Sequence, residues 1–506
     1  MSASDGAGIS DAVAALREHA SDPMIVEKAC ERVQVLCLDP DDPQQRLTVA
    51  GALEAVVSAM RAHPQAGGVG EQGCAALRKL SVGTDAAKPA RKQRAAEAGA
   101  LEAVVAALNA HPQLAGVQEQ GCAALCNVQA GADAAAEARA QRAAEAGALE
   151  AAVAALSAHP QAEAVQQWSS GALRNLCNGA SPAALARKQR AAAAGAIEAV
   201  VEAMRVHAQA KAVQEMASGA LNICVGLDAA ALARKRRAVQ AGAIEAAVEA
   251  MRAHPEALAV QQAGPMVVFN VCCGVDDEAA ARCQHAAGAG ALEAVVAAME
   301  RHLQVGTVQL NACTMLGNAY FGEDASATAC WQRAVEAGAV EAVLAGMRGY
   351  PRAPAMQQMG CALLQSVSAS AADRPARLRR VVGAGAIEAT VRALRTHPQA
   401  AAVQVMGCGM ISCVCNGADD EVAARRQRAA EAGALEAAVA AMRTHPQDGG
   451  VQWEGTRLLN DVCAGSAASK QRAGKAGAKD LVMRAKAAFP QHAELQQWAP
   501  VVASWL

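Results

Sequence analysis

The residues that could do chemistry recur at fixed intervals. Histidine stands at one phase in His63, His111, His159, His254, His397 and His445, each followed by proline. Imidazole is the commonest metal ligand and a ready proton carrier near neutral pH. Zinc needs its ligands at about 2 Å, whereas packed helix layers lie about 10 Å apart, so successive histidines cannot share an ion. A histidine near a helix C-terminus does suit the dipole and the last carbonyls, and that is the role the phase predicts.

Cysteine follows two phases. Cys30, Cys74, Cys122, Cys313, Cys361 and Cys408 occupy one, and Cys37, Cys177, Cys272, Cys415 and Cys463 another. Small buried apolar residues explain both sets. Cys272-Cys273 and Cys413-Val414-Cys415 lack the partners and spacing of a zinc site. No nucleophile elbow, phosphate loop or metalloprotease motif is found. The expectation is a chain that is not an enzyme, with no catalytic residue, metal or cofactor.

Arginine forms a third ladder: Arg46, Arg94, Arg142, Arg190, Arg237, Arg333, Arg380, Arg428 and Arg472, with His285 in the one gap and Arg234, Lys235 and Arg236 alongside. Such a row could meet a weakly held acidic partner along one edge. Glu97, Glu145 and Glu431 stand three residues after a ladder arginine, so ion pairs within one helix are the stronger expectation, each worth about 0.2–0.5 kcal/mol.

These residues must be positioned by helices. Of 506 residues, 53% are hydrophobic but only 2% aromatic, and alanine supplies much of the apolar content. Such a composition favours closely approaching helices over strands. The net charge of −2 excludes a strongly basic nucleic-acid binder and an acidic disordered chain. The uncharged runs 303–322 and 399–418 are interrupted by Gln, Asn, Ser and Gly, so no membrane span is expected. Seventeen cysteines without a secretory leader point to a reducing compartment, the cytoplasm or else the nucleus.

The strongest signal is internal repetition. Ala-Gly-Ala, an apolar residue and Glu return around Gly51, Gly99, Gly147, Gly195, Gly242, Gly290, Gly338, Gly385 and Gly433, at intervals of 47 or 48, with a degenerate copy at Gly477. One array of about eleven units is expected over 1–506. It comprises an N-terminal cap lacking its first helix (1–40), nine full repeats (41–466) and a C-terminal capping repeat (467–506). Each unit reads as three helices: a short basic one over 91–98, broken at Ala98-Gly99, a second over 100–110, and a third over about 117–129. His111-Pro112 ends the second, and Gly131 is the expected left-handed cap of the third.

Residues 99–108 and 117–128, with their counterparts in every unit, resemble the armadillo repeat. The flavour is similar to the armadillo-like arrays of armadillo-repeat-containing proteins and leucine-rich-repeat kinases. The resemblance implies an all-α, right-handed α-α superhelix whose third helices line a concave face, and a non-enzymatic role in binding proteins. One departure is systematic: Glu54, Glu102, Glu150, Glu198, Glu245, Glu293, Glu341, Glu388 and Glu436 replace the usual proline of the second helix. Glutamate suits the positive end of a helix dipole.

Three phases of the third helix are expected to face the groove. The phase three residues after the opening residue reads Gln120, Trp168, Met216, Ala263, Asn311, Met359 and Met406. Together with the phases six and ten residues on, it carries no charge from the second full unit to the eighth. Trp168, Met216, Met266 and Met359 are candidate apolar contacts for an extended or helical partner segment, and Asn127, Asn175, Asn270 and Asn318 candidate hydrogen-bonders to its backbone. The tryptophans that nuclear-import receptors of this family place six residues on are absent, which counts against a transport adaptor. A regulatory array detached from a larger enzyme such as a kinase is the third expectation. Ser504-Trp505-Leu506 fits a loose C-terminal ligand motif, but capping of the last repeat by Trp498, Trp505 and Leu506 is favoured.

Overall fold

The computed structural model describes residues 3–37, 43–82, 88–131, 133–226, 228–274, 276–318, 325–369 and 374–505. Among these residues the chain is helix and turn, with no strand. It divides into two compact units, Met1–Val271 and Cys272–Leu506.

The local sequence explains each helix boundary. Gly99 adopts a left-handed conformation, φ 87°, that a side chain with a Cβ resists, and this separates Lys88–Glu97 from Ala100–Ala110. The equivalent glycines from Gly147 to Gly477 repeat it with φ between 83° and 97°. His111, followed by Pro112, closes the second helix as expected. First helices open on side-chain caps: Asp133 accepts from the Ala136 amide, Ser181 from Ala184 and Asp228 from Ala231.

Two boundaries differ from expectation. The helix Pro43–Ala62 runs straight through Gly51, because glycine permits the left-handed turn without imposing it. The third helix Ala115–Gln129 ends on an extended Ala130, ψ 128°, rather than on a left-handed cap at Gly131. Its last carbonyls already have donors from elsewhere. Arg139 Nε donates to Val128 O at 2.8 Å and Lys92 Nζ to Ala130 O at 2.7 Å.

In the first unit, like helices stack on like. The third helices Gly67–Leu80, Ala115–Gln129, Glu163–Leu176 and Lys211–Ala220 pack side by side, the last passing into a 3-10 turn at Leu221–Cys224. The second helices Ala100–Ala110, Ala148–Ala158, Ala196–Val206 and Ala243–Ala253 form another row, and the first helices a third. The core lies between rows, where Leu101, Leu125, Leu149, Leu173 and Ile197 are fully buried. Each such side chain contributes about 1.5–3 kcal/mol by leaving water. Between them, alanine and glycine let backbones approach: a Cβ at Gly121 would stand 2.6 Å from Leu108 Cδ2.

The second unit repeats this order. Its third helices Gly306–Asn318, Pro354–Ala369, Ala401–Cys415, Gly449–Cys463 and Ala493–Trp505 each pack on the next. Leu495, Ala499 and Val502 bury the inner face of the last, while Trp498 and Val501 remain 38% and 45% exposed. The Trp505 side chain and Leu506 lie outside the described residues.

Candidate binding surface

Most periodic polar groups bind their own chain. The ladder arginines form ion pairs, but across layers and not within a helix. Arg94 meets Glu54 at 3.1 Å, Arg142 meets Glu102 at 2.5 Å and Arg190 meets Glu150 at 2.6 Å. Arg333, Arg380, Arg428 and Arg472 repeat this with Glu293, Glu341, Glu388 and Glu436. The glutamate in the proline position is therefore an inter-repeat anchor as well as a helix-start residue. The acids three residues after the arginines have another donor: Gln93, Gln141 and Gln427 hydrogen-bond Glu97, Glu145 and Glu431 from one turn before. Of the bases beside the ladder, Arg187, Lys188, Arg234 and Lys235 are buried, whereas Arg236 is exposed. Arg187 and Arg234 donate through Nε to Leu176 O and Ile223 O, and Lys188 Nζ reaches Gly179 O.

The histidines tie neighbouring layers together. Nε2 of His111 lies 3.1 Å from Pro64 O, that of His159 2.8 Å from Pro112 O, and that of His445 2.8 Å from Pro398 O. The carbonyls belong to the preceding repeat's turn, not to the histidine's own helix end. That helix end is held by a buried glutamine which the sequence did not single out. Gln166 Nε2 donates to Leu156 O and His159 O, both at 2.8 Å, and Gln118, Gln214, Gln261, Gln309, Gln357, Gln404 and Gln452 do the same in their repeats. The signal was a recurring apolar-Gln step near the start of the third helices, Val-Gln in most of them and Met356-Gln357 in one.

The third-helix residues remain partly accessible. In the first unit Asn127, Trp168, Asn175, Met216 and Met266 are half-buried, and Asn270 is buried. Met216 Sδ packs towards Gly171 of the preceding third helix, 3.3 Å from where a Cβ would stand. Asn175 Nδ2 donates to Cys126 O at 2.8 Å, across one layer. In the second unit Met359 is half-buried, with Sδ 3.8 Å from the Cβ position of Gly317. The Asn318 side chain lies outside the described residues.

The accessible ridge includes a phase left out of the sequence reading, one residue before the Trp168 phase. In the first unit it places Glu119, Gln167 and Glu215 beside Gln120, Trp168 and Met216. Arg174 is half-buried on the same helix as Trp168. Charge therefore borders the uncharged stripe there. In the second unit the same phase reads Leu310, Gln358, Val405 and Trp453, and no charge enters until Glu454. There a polar cluster begins. Arg457 joins Ser412 Oγ at 2.8 Å to Glu454 at 3.2 Å, and Asp461 accepts from Ser412 and from Asn460 Nδ2 at 2.9 Å. Burial raises the Glu454 carboxyl above its ordinary range, against the pull of Arg457.

Burial also pushes the thiols up: Cys122, Cys177, Cys313 and Cys361 rise to about 12, which makes them packing residues rather than nucleophiles. Among the described residues, no group of three or more His, Cys, Asp or Glu is arranged to hold a metal ion, and no helix is long and apolar enough to cross a membrane.

Stacked three-helix layers of this kind are matched among solved structures. One from work on a phosphorylation switch in the interaction between cadherin and beta-catenin aligns over 98% of this chain and 98% of that one, with TM-score 0.62 and 16% identity. The fold is an armadillo-type helical solenoid. The structure of SYS-1 also aligns, over 98% of this chain and 99% of that chain, with TM-score 0.48 and 9% identity. No family model matches the sequence, and no curated protein matches it. The armadillo-type fold is thus reached through repeated local rules, at an identity too low to transfer a function.

Proposed function

We propose that the protein is a non-enzymatic scaffold that holds an extended or helical segment of a protein partner against its third helices. One observation carries the reading. The arginine, histidine and glutamine ladders bind their own chain, whereas the third-helix phase carrying Trp168 and Met216 in the first unit and Met359 in the second stays half-accessible and, at these positions, uncharged. An uncharged, methionine-containing strip on an accessible helix face suits an apolar or adaptable partner. Trp168, Met216, Met266 and Met359 supply apolar contact, and Asn127, Asn175, Asn270 and Asn318 hydrogen bonds. The beta-catenin structure comes from a study of binding to cadherin, which supports a protein partner for this fold. Engagement of the arginine ladder by glutamate favours the third-helix face over an acidic partner along that edge. Seventeen unbridged thiols support the cytoplasm or nucleus as its place of work.

The test compares wild type with a variant carrying Met216→Glu, Met266→Glu and Met359→Glu, in pull-down from native lysate read by mass spectrometry. Circular dichroism checks that helicity is kept. Partners held by the wild type and lost from the variant support the groove. Equal capture by both removes these residues from the site. Tight binding of a basic peptide would instead restore the transport-adaptor reading.

A further inference from the structure

One thiol pair breaks the repeat. In three repeats, a cysteine ending the third helix is followed eleven residues later by a cation: Cys177 by Lys188, Cys224 by Lys235 and Cys415 by Arg426. These cations finish the helix end. Lys188 Nζ donates to Gly179 O at 2.8 Å, and Arg426 Nε to Cys415 O at 3.0 Å. In the second unit the same positions hold Cys272 and Cys283. The cation is replaced by a second thiol, and the two thiols hydrogen-bond each other.

The surroundings distinguish the two sulfurs. Cys272 is buried, with its Sγ 3.5 Å from Arg282 O, as Cys415 Sγ lies 3.8 Å from Arg425 O. Cys283 is partly exposed, and among the described residues every other cysteine is buried. Its thiol is held below the ordinary value, first by the hydrogen bond from Cys272 and further by the Arg282 guanidinium, against the effect of burial. The same hydrogen bond, and then burial, push the Cys272 thiol above its ordinary value. A partly accessible thiol thus sits against a buried one in the same helix junction, which is how an attacking and a resolving thiol are arranged.

We propose that Cys283 and Cys272 form an oxidation site for hydroperoxides, with Cys283 oxidised first and Cys272 resolving it to an intramolecular disulfide. The Cys283 thiolate attacks one peroxide oxygen. A sulfur–oxygen bond forms, the oxygen–oxygen bond breaks, and the leaving alkoxide or hydroxide takes a proton. The Cys272 sulfur then attacks the sulfenic sulfur. The disulfide bond forms, the sulfur–oxygen bond breaks, and hydroxide leaves with the Cys272 proton as water. Two thiols lose two electrons to the oxygen–oxygen bond, and the products are one disulfide, one alcohol or water, and one water. Closure requires the sulfurs to move from hydrogen-bond contact to about 2.05 Å. The main competitor is Cys330, whose Sγ lies 4.0 Å from the Cys283 carbonyl oxygen.

The test is titration of the full chain with hydrogen peroxide, followed by non-reducing trypsin digestion and tandem mass spectrometry. Cleavage after Arg282 places the two thiols on separate peptides, 253–282 and 283–301. The expected product joins them through Cys272 and Cys283 with loss of two hydrogens, and reductant reverses it. Cys272→Ser should leave a sulfenic acid on Cys283 that a cyclic 1,3-dione traps. Cys283→Lys, which restores the cation found in Lys188 and Lys235, should keep the melting temperature and lose the crosslink. Oxidation of other thiols while Cys283 stays reduced overturns the proposal. So does pairing of Cys283 with Cys273, with Cys330 or with a second chain.

Discussion

Arg190 reaches back forty residues to grip Glu150 with both arms, Nε at 2.6 Å and Nη2 at 2.9 Å, while its Nη1 donates to Ala144 O at 2.7 Å. One side chain thus joins the second helix of the preceding repeat and caps the end of its first helix. The same geometry at Arg237, with Glu198 and Ala192 O, makes it a standing joint between layers.

Both partners of that joint are nearly half exposed, at 45% and 46%. Solvent screening therefore limits the coupling. A double-mutant cycle on Arg190→Ala and Glu150→Ala, read by urea unfolding, should give about 0.2–1 kcal/mol. The coupling should shrink in concentrated salt, as the Debye length falls to about 3 Å at 1 M. A coupling that survives salt would assign the joint to packing of the arginine stem instead.

Gln166 should matter more than Arg190. It is buried, and its amide is the donor to both Leu156 O and His159 O. Gln166→Leu leaves two carbonyls without that donor, at a cost of about 1–3 kcal/mol. Equilibrium unfolding should rank it above Arg190→Ala. The reverse order would mean that water replaces the lost donor.

Two glycine substitutions separate backbone strain from crowding. Gly195 has φ 91° with nothing within 4 Å of a Cβ, so Gly195→Ala should cost about 1–2 kcal/mol through conformation alone. Gly121 lies inside a helix, 2.6 Å from Leu108 Cδ2, so Gly121→Ala should cost about 1–3 kcal/mol through overpacking. Adding Leu108→Val should relieve the second variant and leave the first unchanged, as thermal melts will show.

Acid should release a specific contact. Arg425 hydrogen-bonds Asp419 at 2.7 and 2.6 Å and holds its carboxyl from an ordinary 3.8 down to about 2. A folded-state value below the unfolded one means stability that is complete above 3.8 and lost as pH falls towards 2. Asp419→Asn should therefore destabilise the protein at neutral pH. The gap between variant and wild type should close as unfolding is followed from about pH 4 to about pH 2. A gap that persists at the acid end would locate the contribution in the amide-bonded turn rather than in the charge.

Much of this molecule was legible because its rules are local. The Ala-Gly break at Ala98-Gly99 and the His-Pro step at His111 each act within a few residues and return every 47 or 48, so the chain shows them directly. The uncharged phases carrying Trp168, Met216 and Met359 were legible for the same reason. Residues 115–129 form a helix whose faces can be counted.

Contacts between layers were decided by the tertiary structure. Arg94 had Glu97 at helical spacing, yet it meets Glu54, because stacking places residues forty apart side by side while Gln93 takes Glu97. Gln166 reads as a surface residue until burial shows it holding a helix end. The ridge that borders the candidate groove includes Glu119 and Glu215, since accessibility depends on how neighbouring third helices overlap and not on phase alone. Composition and period determined the helices and their order. Only packing determined which polar groups bind their own chain and which remain available to a partner.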